Sequence, residues 1–292
     1  MKQLKISIVT VNYNMVTFLE RAIRSVLDQN YINLEYIIID GGSTDGSVEI
    51  IKKYEQHLAY WVSEKDQGQS DALNKGLKLC SGDIITWLNA DDYYEPGALE
   101  TVSNWFIKSP PKNIVVGACR MFGGGIRENI IRPKKVNKNT LTAYWQSYFV
   151  PPQPSIFFSK SILDKVGILD TRLHYAMDLD LWLRMSRYED FVCIPEVLSN
   201  YEIHTESKSG SGDGFDKFEK EWKQVCEYFV AGMPLGFRKK HTLRKVFFIA
   251  TKSIAKSVFY INKCIYFVLG IVVRAFKKLT GIKRLGILSS EK

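Results

Sequence analysis

Along the first hundred residues, short runs of branched and aromatic apolar residues alternate with longer stretches in which apolar positions recur every three or four residues. The short runs lie near residues 5–11, 35–40, 59–63 and 83–88 and have the length and composition of buried strands. Between them, "FLERAIRSVLDQ", "SVEIIKKYEQH" and "QSDALNKGLKLC" carry the helical period, and another helical stretch follows Pro96. A βαβαβαβα series predicts an α/β fold: a mainly parallel sheet flanked by helices. Ligands of such sheets bind beyond the carboxyl ends of the strands, where side chains and helix N-termini converge.

Those ends are polar. Strand one ends in Thr10, Val11 and Asn12, and strand two in Asp40 followed by "GGSTDGS". Strand three runs into Glu64 and Asp66, and strand four into Asn89, Asp91 and Asp92. Each has a plain structural reading: "WLNADDYYEP" is turn material, and "GGSTDGS" is a glycine-permitted turn in which Ser43 or Asp45 caps a helix. Oxygen ligands at all four ends of one edge point further. A carboxylate after strand two is placed to accept from a base N–H or a ribose hydroxyl, and the acids after strand four suit a hard divalent cation on phosphates. Neither G-x-x-x-x-G-K-[ST] nor a correctly spaced G-x-G-x-x-G is present. Phosphate charge is therefore expected to be offset by a metal on carboxylates.

The blocks "SIVTVNYN", "IIIDGGSTDGS", "EKDQGQSDALNKGL", "GDIITWLNADDYYEPGALE" and "MDLDLWLRM" occur in an order that resembles family 2 inverting glycosyltransferases of the GT-A fold, over roughly residues 4–205. The resemblance implies a Rossmann-like mixed sheet and the transfer of a sugar from a nucleotide-sugar donor, a UDP-sugar above all. It implies nucleotide contacts at Thr10, Asn12, Asp40, Asp66, Asn89 and Ala90, with Asp91 holding Mn2+ or Mg2+. Asn89 departs from the family's D-x-D element, and with it one negative charge is lost at the metal. Asp178 matches the catalytic base, with Met177 where a Glu often stands. The acceptor implied is a glycan or a polyprenyl-diphosphate-linked sugar of bacterial surface-polysaccharide assembly, such as O-antigen or capsule.

Inverting transfer suits a single aspartate. The acceptor hydroxyl must lose its proton as it attacks the anomeric carbon opposite the departing diphosphate, and an ordinary Asp, pKa about 3.9, is ionised at neutral pH. Asp178 and Asp180 fall at the start of a helix in "HYAMDLDLWLRMS", where acids also favour the helix dipole; that role suffices for Asp180. Gln153 in the proline-rich "VPPQPSIFFS" is an acceptor-side candidate as well as a rigid-turn residue. His204, after a strand and before a glycine-serine stretch, is a candidate for the metal or the diphosphate.

The net charge of +9 is unevenly distributed. Residues 1–237 hold 26 Lys and Arg against 30 Asp and Glu, whereas residues 238–292 hold 14 against one, Glu291. Such a distribution argues against a nucleic-acid binder and divides the chain into a catalytic domain, 1–237, and a basic tail, 238–292. At ~100° per residue, Lys252, Lys256, Lys263, Arg274, Lys277 and Lys278 fall within about 60° of Lys245. The rest of the tail is largely aromatic and aliphatic. This amphipathic helical pattern predicts attachment to anionic lipid. Five scattered cysteines and an N-terminus without a cleavage site predict a cytoplasmic protein, which the tail is expected to hold peripherally on the inner face of the cytoplasmic membrane. Two rival functions remain at this point, a sugar-nucleotide nucleotidyltransferase and a non-catalytic nucleotide-sugar binder attached to the membrane.

Overall fold

The computed structural model describes residues 3–108, 113–145, 151–205, 207–208 and 214–252. In chain order its elements are β1 (Ile6–Asn12), α1 (Val16–Leu27), β2 (Leu34–Asp40), α2 (Ser47–Tyr54), β3 (Tyr60–Ser63) and α3 (Gln69–Leu79). Next come β4 (Ile84–Asn89), β5 (Tyr93–Tyr94), α4 (Ala98–Ile107), β6 (Ile114–Gly123), β7 (Asn129–Ile131) and α5 (Lys138–Leu141). The series closes with β8 (Ile156–Ser159), α6 (Lys160–Val166), α7 (Met177–Met185), β9 (Val192–Ile203) and α8 (Gly214–Ala231). The four strands expected from the apolar runs are β1 to β4, each within one residue of its expected ends.

The strands form one sheet in the order β3-β2-β1-β4-β8-β6-β9-β5, with β7 on β6. Pairing is parallel among β3, β2, β1 and β4 and between β6 and β9; β8, β5 and β7 pair antiparallel. Both faces are covered, because β1 buries Ile6 and Ile8 against α1 and α4 and turns Val9 and Val11 toward α3 and α7. A near-continuous apolar strand is what such two-sided burial requires. Close packing also explains Gly76 inside α3, where a Cβ would lie 2.3 Å from Val9 Cγ1.

Register puts the polar ends in line. Asn12 lies opposite Asp40, Asp40 opposite Ser63, and Val11 opposite Asn89. Beneath this edge Trp87 of β4 stacks on Trp182 of α7, with ring centroids 5.2 Å apart and planes 12° from parallel. Phe158 and Phe191 meet Trp182 edge-on. Of the two caps in the plain reading of "GGSTDGS", Ser43 turns to Asp40 instead, Gly46 precedes α2, and Asp45 serves the helix start. Asp45 accepts from Ser47 N at 3.0 Å and from Val16 N at 2.8 Å, joining the starts of α2 and α1.

The chain divides into two compact units, residues 1–234 and 235–292. In the second, residues 235–252 are helical, with Leu243, Val246, Phe247 and Ile249 exposed. The remainder of the basic stripe, from Lys256 onward, lies outside the described residues. No helix among the described residues is long and apolar enough to cross a membrane.

Candidate active site

Asp40 ends β2 fully buried, and five donors converge on its carboxylate. Asn12 Nδ2 donates at 2.7 Å, Gly42 N at 3.1 Å and Ser43 N at 2.9 Å. The hydroxyls of Ser43 and Ser63 donate at 2.5 and 2.6 Å. Burial alone raises a carboxyl pKa, but these donors outweigh it and hold Asp40 below the usual range. Its charge thus folds the loop after β2. Asn12 is buried too, and its Oδ1 has no hydrogen-bond partner, a lone acceptor at the strand ends. Asp66 Oδ1 accepts from Gly68 N at 2.8 Å, while its Oδ2 lies where a Cβ on Gly41 would intrude at 2.5 Å. Only glycine permits that approach.

The Thr10 side chain does not belong to this edge. Its hydroxyl is completely buried and lies 3.0 Å from Tyr36 Oη, because strand alternation places it with Ile6 and Ile8 in the core beneath α1. The Thr10 hydroxyl is thus turned away from the strand-end edge, which leaves its main chain for the expected nucleotide contact. Tyr13, which sequence reasoning passed over, is 62% exposed and reaches to Gly41 beside Asp66. The signal was there, an aromatic directly after the strand end.

At the end of β4, Asn89 Oδ1 accepts from Gln69 Nε2 at 2.8 Å, and Asn89 Nδ2 donates to Gln153 Oε1 at 3.2 Å. Gln153 Nε2 also donates to Trp87 O at 2.8 Å, so this amide braces the strand that carries Asn89. Ala90 is buried. Asp91 Oδ2 lies 3.1 Å from His204 Nε2, which joins residues 113 positions apart. Phe18 of α1 stacks on the His204 ring at 4.4 Å. Arg21 of the same helix donates to the Asp91 carbonyl at 3.1 Å and pairs with Glu202. Neither Phe18 nor Arg21 carried a signal in the sequence, since only β9 brings Glu202 and His204 to α1. Asp92 is buried, and burial first, then the Asp91 charge, raises its pKa well above the ordinary value.

No three His, Cys, Asp or Glu groups among the described residues are close enough to form a metal cage. The Asp91 and His204 pair nevertheless fits a cation held jointly with a diphosphate. Such ions take one or two protein ligands and fill their shells with phosphate oxygens and water.

Asp178 stands in the first turn of α7, four residues before Trp182. Its Oδ1 accepts from Leu179 N at 2.7 Å. Burial raises its pKa to about 6, against the backbone hydrogen bonds and the Lys208 charge, which lower it. The ordinary value expected from sequence is therefore replaced by one closer to neutrality. Asp180 pairs with Arg184 at 2.8 Å, and Arg184 in turn donates to Val166, Gly167 and Ile168 carbonyls, so Asp180 anchors the α6–α7 connection. Lys208 Nζ donates to His174 O at 3.0 Å, and its charge acts on Asp178, Glu221 and Asp66.

Residues 7–167 match the glycosyl transferase family 2 model, more than half of the chain, and the chain belongs to that family. It is a glycosyltransferase. Over 220 residues it is 30% identical to an uncharacterized glycosyltransferase of Mycobacterium tuberculosis, covering 71% of this chain and 80% of the relative. Among solved structures it is similar to S. aureus TarS, with a TM-score of 0.60 at 14% identity over 83% of this chain. It spans only 43% of that TarS chain. TarS 1-349 in complex with UDP-GlcNAc matches with a TM-score of 0.59 at 15% identity, covering 79% of this chain and 68% of that one. Mannosyltransferase PcManGT from Pyrobaculum calidifontis, in complex with GDP-Man and Mn2+, matches with a TM-score of 0.53 at 14% identity over 85% of this chain and 81% of its own. At such identities the likeness is one of fold.

Proposed function

We propose that the protein transfers a sugar, with inversion, from a UDP-sugar to a glycan or polyprenyl-diphosphate-linked acceptor in surface-polysaccharide assembly. The observation that carries this reading is Asp178, a carboxyl with a pKa of about 6, tied through the Trp87–Trp182 stack to the strand that ends at Asn89, two residues before Asp91. Family membership sets aside the nucleotidyltransferase, and a base tuned toward neutrality favours turnover over mere binding. TarS in complex with UDP-GlcNAc and PcManGT in complex with GDP-Man and Mn2+ support a nucleotide-sugar donor.

In this reading the exposed Tyr13 ring offers a face to the base. Asn12 Oδ1 accepts from a base N–H, and Asp40 reads the base in place of one of the serine hydroxyls now on it. Asp66 and Asn89 face the ribose, with the Ala90 main chain beside it. Gln153, whose amide holds Asn89 and the β4 backbone, acts as a brace on the donor side. Asp91 and His204 would hold Mn2+ or Mg2+, which when bound neutralises charge developing on the leaving diphosphate. Asp178 accepts the proton of the acceptor hydroxyl as its oxygen bonds to the anomeric carbon. The bond from that carbon to the diphosphate breaks, and its electron pair leaves with the nucleoside diphosphate.

We also propose that residues 238–292 attach the enzyme to anionic lipid on the inner face of the cytoplasmic membrane. The exposed apolar residues of helix 235–252, set among Arg244, Lys245 and Lys252, support this.

Asp178→Asn is expected to keep nucleotide affinity while lowering transfer at least about 10²-fold. Because folding raises the Asp178 pKa, its favourable contribution to stability is present below about pH 4 and lost as pH rises through about 6. The same variant should therefore be more stable than the unsubstituted chain above pH 6, by about 1–3 kcal/mol. Near-normal transfer by Asp178→Asn would refute the base assignment. Asp91→Ala should abolish the Mn2+-dependent part of UDP affinity measured by calorimetry; the same metal dependence in both proteins would remove Asp91 from the metal site. Full-length protein should sediment with vesicles containing phosphatidylglycerol at low salt and less so at high salt, and a chain ending at residue 237 should not. Equal behaviour of the two chains would end the anchor proposal.

A further inference from the structure

Asp178 lies beyond the segment that matches the family model, and so does the helix that packs beside it. α7 begins without a side-chain cap of its own. Its approach is held from α8 instead. The Glu221 carboxylate accepts from His174 N at 3.0 Å and from Ala176 N at 2.6 Å, and also from Tyr175 N. These are the residues immediately before the turn that contains Asp178. The seat of Glu221 is rigid, because the next residue, Trp222, is buried together with Val225, Cys226 and Phe229 along one face of α8.

We propose that Glu221 is a positioning residue for transfer: through three consecutive main-chain N–H groups it holds the turn that presents Asp178 to the acceptor hydroxyl. The inference rests on Asp178 being the base. One carboxylate across three amides is a charge-assisted arrangement, and it also places negative charge where the helix dipole favours it.

Electrostatics adds a readout that a purely structural brace would lack. Burial is the largest cause of the raised Asp178 pKa; among charged groups, Lys208 on the segment after β9 lowers it and Glu221 on α8 raises it. Asp66, on the segment after β3, acts on Lys208. Asp180 on the same helix is paired with Arg184. Removing the Glu221 charge takes away a repulsion on ionised Asp178, which pushes the Asp178 pKa down.

The test is the pH dependence of kcat for the full chain, with Glu221→Gln and Glu221→Ala beside the unsubstituted enzyme. Transfer should fall on the acid side as Asp178 protonates. Glu221→Gln, which keeps one acceptor oxygen but no charge, should move that limb to lower pH by about 0.3–1 unit. Glu221→Ala should lower the plateau kcat by about 10–10²-fold, more than Glu221→Gln does, with the donor KM little changed. An acid limb in Glu221→Gln that coincides with that of the unsubstituted enzyme overturns the proposal, whatever happens to Glu221→Ala. Asp178→Asn separates the two failures: residual transfer that keeps the same acid limb overturns the base assignment and the positioning role with it, whereas loss of that limb in Asp178→Asn with an unmoved limb in Glu221→Gln overturns the positioning role alone.

Discussion

The stacked indoles of Trp87 and Trp182 are the constraint on which the site depends. Trp87 is two residues before Asn89 on β4, and Trp182 is four residues after Asp178 on α7, so one buried contact links the polar end of β4 to the helix that carries the proposed base. An aromatic pair of this kind contributes about 0.5–1.5 kcal/mol beyond the burial of its area. Its larger consequence is geometric. Gln153 secures the β4 side by donating to the Trp87 carbonyl while accepting from Asn89, and Glu221 of α8 secures the α7 side. In-line transfer tolerates little error in the positions of base and leaving group, so rigid elements beneath both are what the chemistry requires.

The same edge concentrates acids, and their surroundings give each a different character. Asp40 is buried among five donors and stays ionised as the centre of a folded loop. Asp92, buried next to the Asp91 charge, is driven toward its neutral form. Asp91 keeps an oxygen turned to His204, the pair proposed to hold a cation. Asp178, whose carboxylate accepts from Leu179 N, is raised by burial to about 6, a value suited to the proposed base.

Much of this was legible in the chain because it depends on local pattern. The strands β1 to β4 follow from β-branched runs, and their polar ends follow from the rule that parallel sheets bind beyond their carboxyl edge. What was hidden depends on distant pairs. Arg21 and Glu202 are 181 residues apart, Asp91 and His204 are 113 apart, and nothing in the local sequence of α1 announces that it will support His204. The inward turn of the Thr10 hydroxyl toward Tyr36 was hidden too, because a strand-end pattern does not reveal which face a side chain takes. The Asp178 pKa was misjudged for a related reason, since burial is a property of packing and not of residue type.

A single displacement with one carboxylate base predicts one stereochemical outcome. The most direct measurement is proton NMR of the anomeric signal during turnover, recorded before mutarotation, with an α-linked UDP-sugar that the enzyme accepts as donor. The account predicts that the first-formed product, whether sugar transferred to an acceptor or released to water, carries the β configuration. Appearance of the α anomer as the initial product would contradict it.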